Sequence, residues 1–210
     1  MINVLVVDDH SIIRKGIKQL LLDTQDMRVT GEAENGIDAL ELVQRNHYQV
    51  VLLDISMPGE NGIDVLKRIK EVRPQLPVMI LSMYPEDQYA LRSLRAGAAG
   101  YLNKQGALSQ LVAATRQVAG GKKFISAELA AQLADNLAHG HLEQPHQTLS
   151  HREYQTLCLI ASGKKLSEIA EAMSLSAKTV SVYRARLLEK MKLKTNAELI
   201  HYAITHNLVP

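Results

Sequence analysis

Three carboxylates in this chain stand where two of its most apolar runs end: Asp8 and Asp9 follow Val4 to Val7, and Asp54 follows Val50 to Leu53. Two further runs end in other polar groups, one in the hydroxyl of Ser82 and the other, past Leu102 and Asn103, in the amine of Lys104. If these runs are parallel strands, their C-terminal ends converge. Carboxylates gathered there repel one another unless a hard cation with oxygen ligands lies among them, which points to Mg²⁺. The set suits phosphoryl transfer to a carboxylate: Asp54 attacks, the cation and Lys104 neutralise the phosphoryl oxygens, and Ser82 donates a hydrogen bond. An aspartate at a strand end also commonly caps the next helix, so Asp9 or His10 could instead cap a helix beginning near Ser11. Five residues of the right types at four strand ends are hard to read as caps alone.

The elements that must position these groups are legible over residues 1–121. Short apolar runs at Ile2 to Val7, Arg28 to Ala33, Val50 to Leu53, Val78 to Leu81 and Gly100 to Leu102 read as strands, two of them nearly uninterrupted Val/Ile/Leu. Between them lie helix-period segments, such as Ile12, Ile13, Ile17, Leu20 and Leu21, or Ile63, Leu66, Ile69 and Val72. The alternation predicts an α/β domain of five parallel strands with crossover helices and a crevice at the strand C-termini.

The motifs Val6-Val7-Asp8-Asp9-His10, Leu53-Asp54-Ile55-Ser56-Met57-Pro58-Gly59, Leu81-Ser82 and Gly97-Ala98-Ala99-Gly100-Tyr101-Leu102-Asn103-Lys104 resemble those of receiver domains, with the family's spacing intact. The resemblance implies a flavodoxin-like (βα)5 fold. It further implies that Asp54 is the phosphoacceptor, that Asp9 and Asp54 ligate Mg²⁺ with the Ser56 carbonyl while Asp8 assists, and that Ser82 and Lys104 contact the phosphoryl group. Tyr101 would be the aromatic whose inward rotation reports phosphorylation. One position departs from the pattern: the residue after the switch hydroxyl is usually small in receivers and here is Met83, followed by Tyr84-Pro85. A thioether there is expected to slow loss of the phosphoryl group.

After Gly120-Gly121 the pattern predicts a helix over Ser126 to Leu137, with Ser126 as N-cap and Glu128 in its first turn. The polar stretch Ala138 to Gln147 lacks an apolar period and reads as a linker, so residues 122–147 are assigned to a linker helix and linker. His139, His141, His146 and His151, in and just after it, are irregularly spaced with no cysteine nearby, which argues against a metal site.

Residues 148–210 contain helical signals and no strand signal. Ser150-His151-Arg152-Glu153 is a capping-box pattern opening a helix through Tyr154, Leu157, Ile160 and Ala161, and Gly163 stops it. A short helix from Ser167 to Ala172, a turn at Met173 to Ser176 and a basic helix from Ala177 to Met191 form a helix-turn-helix pattern within a small all-α domain. Leu149 to Glu153, Ile169-Ala170 and Ser176 to Val180 resemble the LuxR-type output domain of NarL/FixJ response regulators. That resemblance places Ser181, Val182 and Ala185 at base edges in the major groove, and Lys178, Thr179, Tyr183, Arg186 and Lys190 near phosphates. Val180 and Leu187 would be core.

Charge divides unevenly along the chain: residues 1–121 hold 13 Lys/Arg and 14 Asp/Glu, whereas residues 148–210 hold 9 and 5, a net +4 that suits a polyanion. One cysteine, Cys158, excludes an internal disulfide framework and is expected to be a buried core residue. The N-terminus lacks the charge order of a signal peptide, and no apolar stretch approaches the roughly 20 residues that cross a bilayer, so a cytoplasmic protein without a membrane partner is expected. The resulting expectation is a transcription regulator rather than an enzyme. It takes phosphate from a sensor histidine kinase, dimerises when phosphorylated and binds double-stranded DNA, with RNA polymerase as a further partner. A phosphohydrolase using Asp54 would need a second aspartate two residues on, where the chain has Ser56.

Overall fold

The computed structural model describes the chain apart from residues 58–60, 84–85, 105–107, 128, 132–143, 207 and 210. Pro58-Gly59, Tyr84-Pro85, Glu128, the second half of the expected Ser126 to Leu137 helix, and His139 and His141 therefore lie outside the described residues. The chain divides into two compact units, Met1–Ala134 and Asp135–Pro210.

The first unit alternates strand and helix: β1 (Ile2–Val7), α1 (Ser11–Leu22), β2 (Met27–Ala33), α2 (Gly36–Arg45), β3 (Val50–Asp54), α3 (Gly62–Val72), β4 (Val78–Ser82), α4 (Glu86–Arg95), β5 (Gly100–Asn103) and α5 (Leu108–Ala119). All neighbouring strand pairs are parallel, in the order β2-β1-β3-β4-β5. The order reverses between β1 and β3, which places a crevice beyond the carboxyl ends of those two strands. Every residue of β3 and β4 is buried, which explains their unbroken apolar sequences.

Helical periodicity overstates the buried stripe of two helices. Ile12 is 80% exposed and Val72 40% exposed, while Ile17, Leu21, Ile63, Leu66 and Ile69 are buried. On α1 the buried face runs through Arg14, Ile17 and Leu21, so an arginine takes the place the pattern gave to isoleucine. The sheet unit also continues past residue 121. The amide of Phe124 donates to the Ala99 carbonyl at 2.9 Å, and Phe124 bridges Gly100 beside β5. Ser126 then accepts from the Leu129 amide at 3.0 Å, as an N-cap does.

The second unit opens with a 3₁₀ turn (Pro145–Thr148), where the sequence suggested only irregular linker, followed by α6 (His151–Ala161), α7 (Leu166–Ala172), α8 (Ala177–Met191) and α9 (Asn196–Thr205). The turn is fastened by His146, whose Nδ1 lies 3.0 Å from the Tyr202 hydroxyl on α9. Ser150 and Glu153 form the predicted capping box. Gly163 ends the hairpin between α6 and α7 at φ 79°, a left-handed conformation that costs glycine little. Leu157, Ile169, Val180, Leu187 and Leu199, one or two from each helix, are fully buried and form the core. Cys158 is half-buried rather than buried, and its thiol donates to the Leu208 carbonyl at 3.8 Å.

Candidate functional site

β1 and β3 are neighbours in register, Val7 beside Leu53, so Asp8 and Asp54 leave the sheet together. Both are buried, at 1% and 2% exposure. Lys104, immediately after β5, reaches across the crevice, with Nζ 2.7 Å from Asp8 Oδ2 and 3.0 Å from Asp54 Oδ2. A lysine and two aspartates from three strand ends are thus one ion cluster. Burial pushes the Asp54 carboxyl up, and Lys104 together with the Ser56 amide only partly offsets this, while the neighbouring Asp8 charge raises it further; its affinity for a proton lies above the ordinary carboxylate value.

Asp54 Oδ1 is buried and has no hydrogen-bond partner. A carboxylate oxygen left in that state is costly unless something positive comes to it. Asp8, Asp9, His10 and Asp54 each bring a ligand atom into a group spanning at most 4.8 Å, a donor set that fits a divalent cation. Asp9 is partly exposed at the rim. His10 is the N-cap residue of α1 but its side chain makes no capping hydrogen bond, and the carboxylate of Asp8 accepts the His10 amide at 2.8 Å.

Ser82 is fully buried at the end of β4, and its carbonyl accepts the Lys104 amide at 2.7 Å, which ties the hydroxyl strand to the lysine strand. Tyr101 is 1% exposed. Ser56 is exposed, directs its amide to Asp54 and forms an isolated antiparallel bridge with Asn61. Met83 follows Ser82 directly and is 53% exposed.

Two residues around the pocket were missed from sequence. His10 turns its Nδ1 to 2.9 Å from Asp9 Oδ1 and 3.2 Å from Asp8 Oδ1. Arg14, 7% exposed, donates from Nη1 to the Asp8 carbonyl at 2.6 Å and pairs with Glu34, with Glu32 at 3.6 Å. Its position three and seven residues before Ile17 and Leu21 was a signal, since that spacing puts it on the buried face of α1. Opposite the crevice floor, Gly62 begins α3 against the strand end: a Cβ there would lie 2.1 Å from the Asp54 carbonyl oxygen.

In the second unit, α8 is capped by Ser176, whose hydroxyl accepts the Thr179 amide at 3.1 Å. Val180 and Leu187 are fully buried, while Lys178, Ser181, Val182, Ala185, Arg186 and Lys190 are exposed and Thr179 and Tyr183 half-buried. Ser181, Val182 and Ala185 fall within five residues on one solvent-facing ridge, and Val182, at 43% exposure, offers water an apolar surface. The Ser181 hydroxyl donates to the Ala177 carbonyl at 2.9 Å, leaving its lone pairs outward. Lys190 is different from the other basic residues: its Nζ lies 2.7 Å from Oε2 of the buried Glu153.

Comparison with known proteins divides the chain in the same two parts. Residues 4–116 match the response regulator receiver domain and residues 147–203 match bacterial regulatory proteins of the luxR family. Response regulator UvrY of Escherichia coli K12 is 39% identical over 99% of this chain and 96% of its own length. Response regulator GacA of Pseudomonas aeruginosa is 38% identical over 100% of this chain and 98% of its own. Among solved structures, RcsB from Salmonella enterica serovar Typhimurium, bound to promoter rprA in the presence of phosphomimetic BeF₃⁻, is similar with 27% identity and a TM-score of 0.65, over 96% of this chain and 97% of that one. A structure of two RcsB dimers bound to two parallel DNAs matches with 29% identity and a TM-score of 0.60, over 96% and 97%.

Proposed function

Because the chain belongs to the response regulators that join a receiver to a LuxR-family DNA-binding domain, we propose that Asp54 receives the phosphoryl group and that helix α8 reads DNA in response. The observation that carries the first part is the Lys104 ammonium shared between Asp8 and Asp54 at the ends of separate strands. Lys104 holds Oδ2 of Asp54, and Oδ1, with no hydrogen-bond partner, is left for the incoming group. An Asp54 oxygen forms the new P–O bond as the P–N bond of a phosphohistidine donor breaks, and the donor imidazole leaves with the electron pair. Lys104 stays beside the transferred group to balance its charge, and the Ser82 hydroxyl donates to a phosphoryl oxygen.

Asp9 and Asp54 would hold Mg²⁺, with Asp8 beside them and the Ser56 carbonyl completing the protein ligands; when bound, the ion supplies positive charge to the phosphoryl oxygens. The donor is a sensor histidine kinase. The acyl phosphate is a signal rather than a turnover intermediate, since Ser56 cannot act as the general acid of a hydrolase. Ser82 and Tyr101, at the ends of β4 and β5, carry the change to the neighbouring face and favour a homodimer.

In the second unit, Ser181, Val182 and Ala185 face base edges and Lys178, Thr179, Tyr183 and Arg186 face phosphates, with Lys190 at the far end of the helix. Two such helices in a dimer read two half-sites of double-stranded DNA in the cytoplasm, where RNA polymerase is the machinery acted on. Among the described residues no helix is long and apolar enough to cross a membrane.

Intact-mass measurement after acetyl phosphate and Mg²⁺ should show an added mass of roughly 80 Da, one phosphoryl group, in the native chain and none in Asp54→Asn. Genomic mapping of binding sites with native protein and Asp54→Ala side by side should then show occupancy that depends on Asp54. Equal occupancy would make the receiver irrelevant to DNA binding, and equal mass gain in both chains would move the phosphoacceptor elsewhere.

A further inference from the structure

The acidic crevice contains one donor that a magnesium site does not use. His10 is not held as a helix cap by its side chain, and its imidazole turns back over the carboxylates, with Nδ1 2.9 Å from Asp9 Oδ1 and 3.2 Å from Asp8 Oδ1. Its amide is fixed to Asp8 Oδ1 at 2.8 Å, so the main chain that carries the ring is tied to the same residue. Adjacent donors on a cation with metal–ligand distances of about 2.1 Å stand roughly 3.0 Å apart in an octahedron and about 3.4 Å apart in a tetrahedron. The nitrogen of His10 stands at that separation from two carboxylate oxygens. Asp54, buried at the end of β3 and with its Oδ1 unpartnered, brings a carboxylate oxygen into the same group of donors, all within 4.8 Å of one another.

Oxygen donors suit Mg²⁺, which keeps several of its waters and gains little from imidazole. Borderline cations such as Co²⁺, Ni²⁺ and Zn²⁺ gain most from a nitrogen donor, and their affinity for a mixed N/O site exceeds that of harder ions in the order of the first transition row. We propose that His10 makes the Asp8-Asp9-Asp54 pocket a preferential site for a divalent transition cation, in competition with Mg²⁺ for the same carboxylates. The inference rests on reading the pocket as a divalent-cation site. Its physiological corollary is a receiver whose capacity to accept phosphate responds to the transition-metal content of its surroundings as well as to its kinase.

The probe is Co²⁺, added to the full-length chain purified without a histidine tag, with binding read by calorimetry and by visible absorption of the bound ion. The native chain, His10→Asn and Asp54→Asn are compared, and the pocket-bound fraction is defined as that which excess Mg²⁺ displaces, which separates it from ions held by the other histidines. The native chain should bind Co²⁺ at least 10-fold more tightly than Mg²⁺. His10→Asn should lose about 10-fold in Co²⁺ affinity, about 1.4 kcal/mol, with a changed absorption band and Mg²⁺ affinity within a factor of about two. Unchanged Co²⁺ affinity and band in His10→Asn, with Mg²⁺ binding intact, overturns the proposal and leaves the pocket as an oxygen-only site. Equal losses of both ions in His10→Asn also overturn it, by making His10 a support for the turn. If the native chain binds neither ion, or if Asp54→Asn keeps both affinities, the reading of the pocket falls and the inference falls with it.

Discussion

The guanidinium of Arg14 donates to the main-chain carbonyl of Asp8 at 2.6 Å, from inside the molecule, while Glu32 and Glu34 at the end of β2 balance its charge. One buried cation thereby links the turn that carries the acidic pair to the neighbouring strand. Replacing it by methionine keeps the apolar stem and removes the donors. A hydrogen bond to a charged group contributes about 1.5–3 kcal/mol, so Arg14→Met should lower the urea midpoint of the sheet unit by that order. The same variant should need more Mg²⁺ to reach half-maximal phosphorylation by acetyl phosphate. A normal Mg²⁺ requirement in a destabilised variant would restrict Arg14 to the fold.

Met83 stands directly after the buried Ser82 with half its surface in solvent. Removing the thioether in Met83→Ala should open the approach of water to an acyl phosphate on Asp54. A phosphoryl half-life shortened about 3-fold, some 0.7 kcal/mol of barrier, is the expected result in a time course of Phos-tag gels or intact mass. Identical half-lives would remove Met83 from the account.

Two basic residues of α8, four positions apart, should respond differently to truncation. Arg186 is exposed and is proposed to face phosphate, so Arg186→Ala should weaken DNA binding across sequences and reduce the salt slope by about 1. Lys190 already has a carboxylate partner at 2.7 Å. Lys190→Ala should therefore cost the helical unit stability and change the salt slope less than Arg186→Ala does. Fluorescence anisotropy on a mapped site at several salt concentrations distinguishes the two.

Glu153 sets an acid limit on the same unit. Burial raises its carboxyl, but the Lys190 ammonium and the Ser150 donors outweigh this and hold it below the ordinary glutamate value. The unfolded chain then takes up the proton more readily than the folded one, so stability rises with pH through this window. The contribution is complete above the unfolded value of roughly 4.3 and is lost as pH falls through that value towards the lower folded one. Because the lysine is 42% exposed, the pair is discounted for solvent to at most about 1 kcal/mol. Urea titrations of native chain and Lys190→Gln should differ by that amount at pH 7 and draw together as acidification protonates Glu153 in the folded chain.

The strand ends were readable because apolar runs buried on both faces stop abruptly at the first charged residue: β3 closes on Asp54 and β4 on Ser82. The helix faces were less so. Ile12 is as apolar as Ile17 but lies on the solvent side of α1, and a single helix does not show which side meets the sheet. Arg14 carries a charge that reads as solvated until Glu32 and Glu34, some 20 residues away, are seen around it. His10 adjoins the acidic pair in sequence, yet its ring direction depends on how the turn is tied to Asp8. Lys190 and Glu153 are 37 residues apart, and no local pattern joins them.

The missing side chain at position 62 lets α3 start in contact with the main chain of Asp54, 2.1 Å from where any Cβ would stand. Asp54 and α3 consequently have no slack between them. If Asp54 takes up the phosphoryl group as proposed, the strain this imposes on it cannot be absorbed locally at that seam. It must be passed on through α3 or released on the opposite side of the crevice, where Ser82 and Lys104 hold the other two strands.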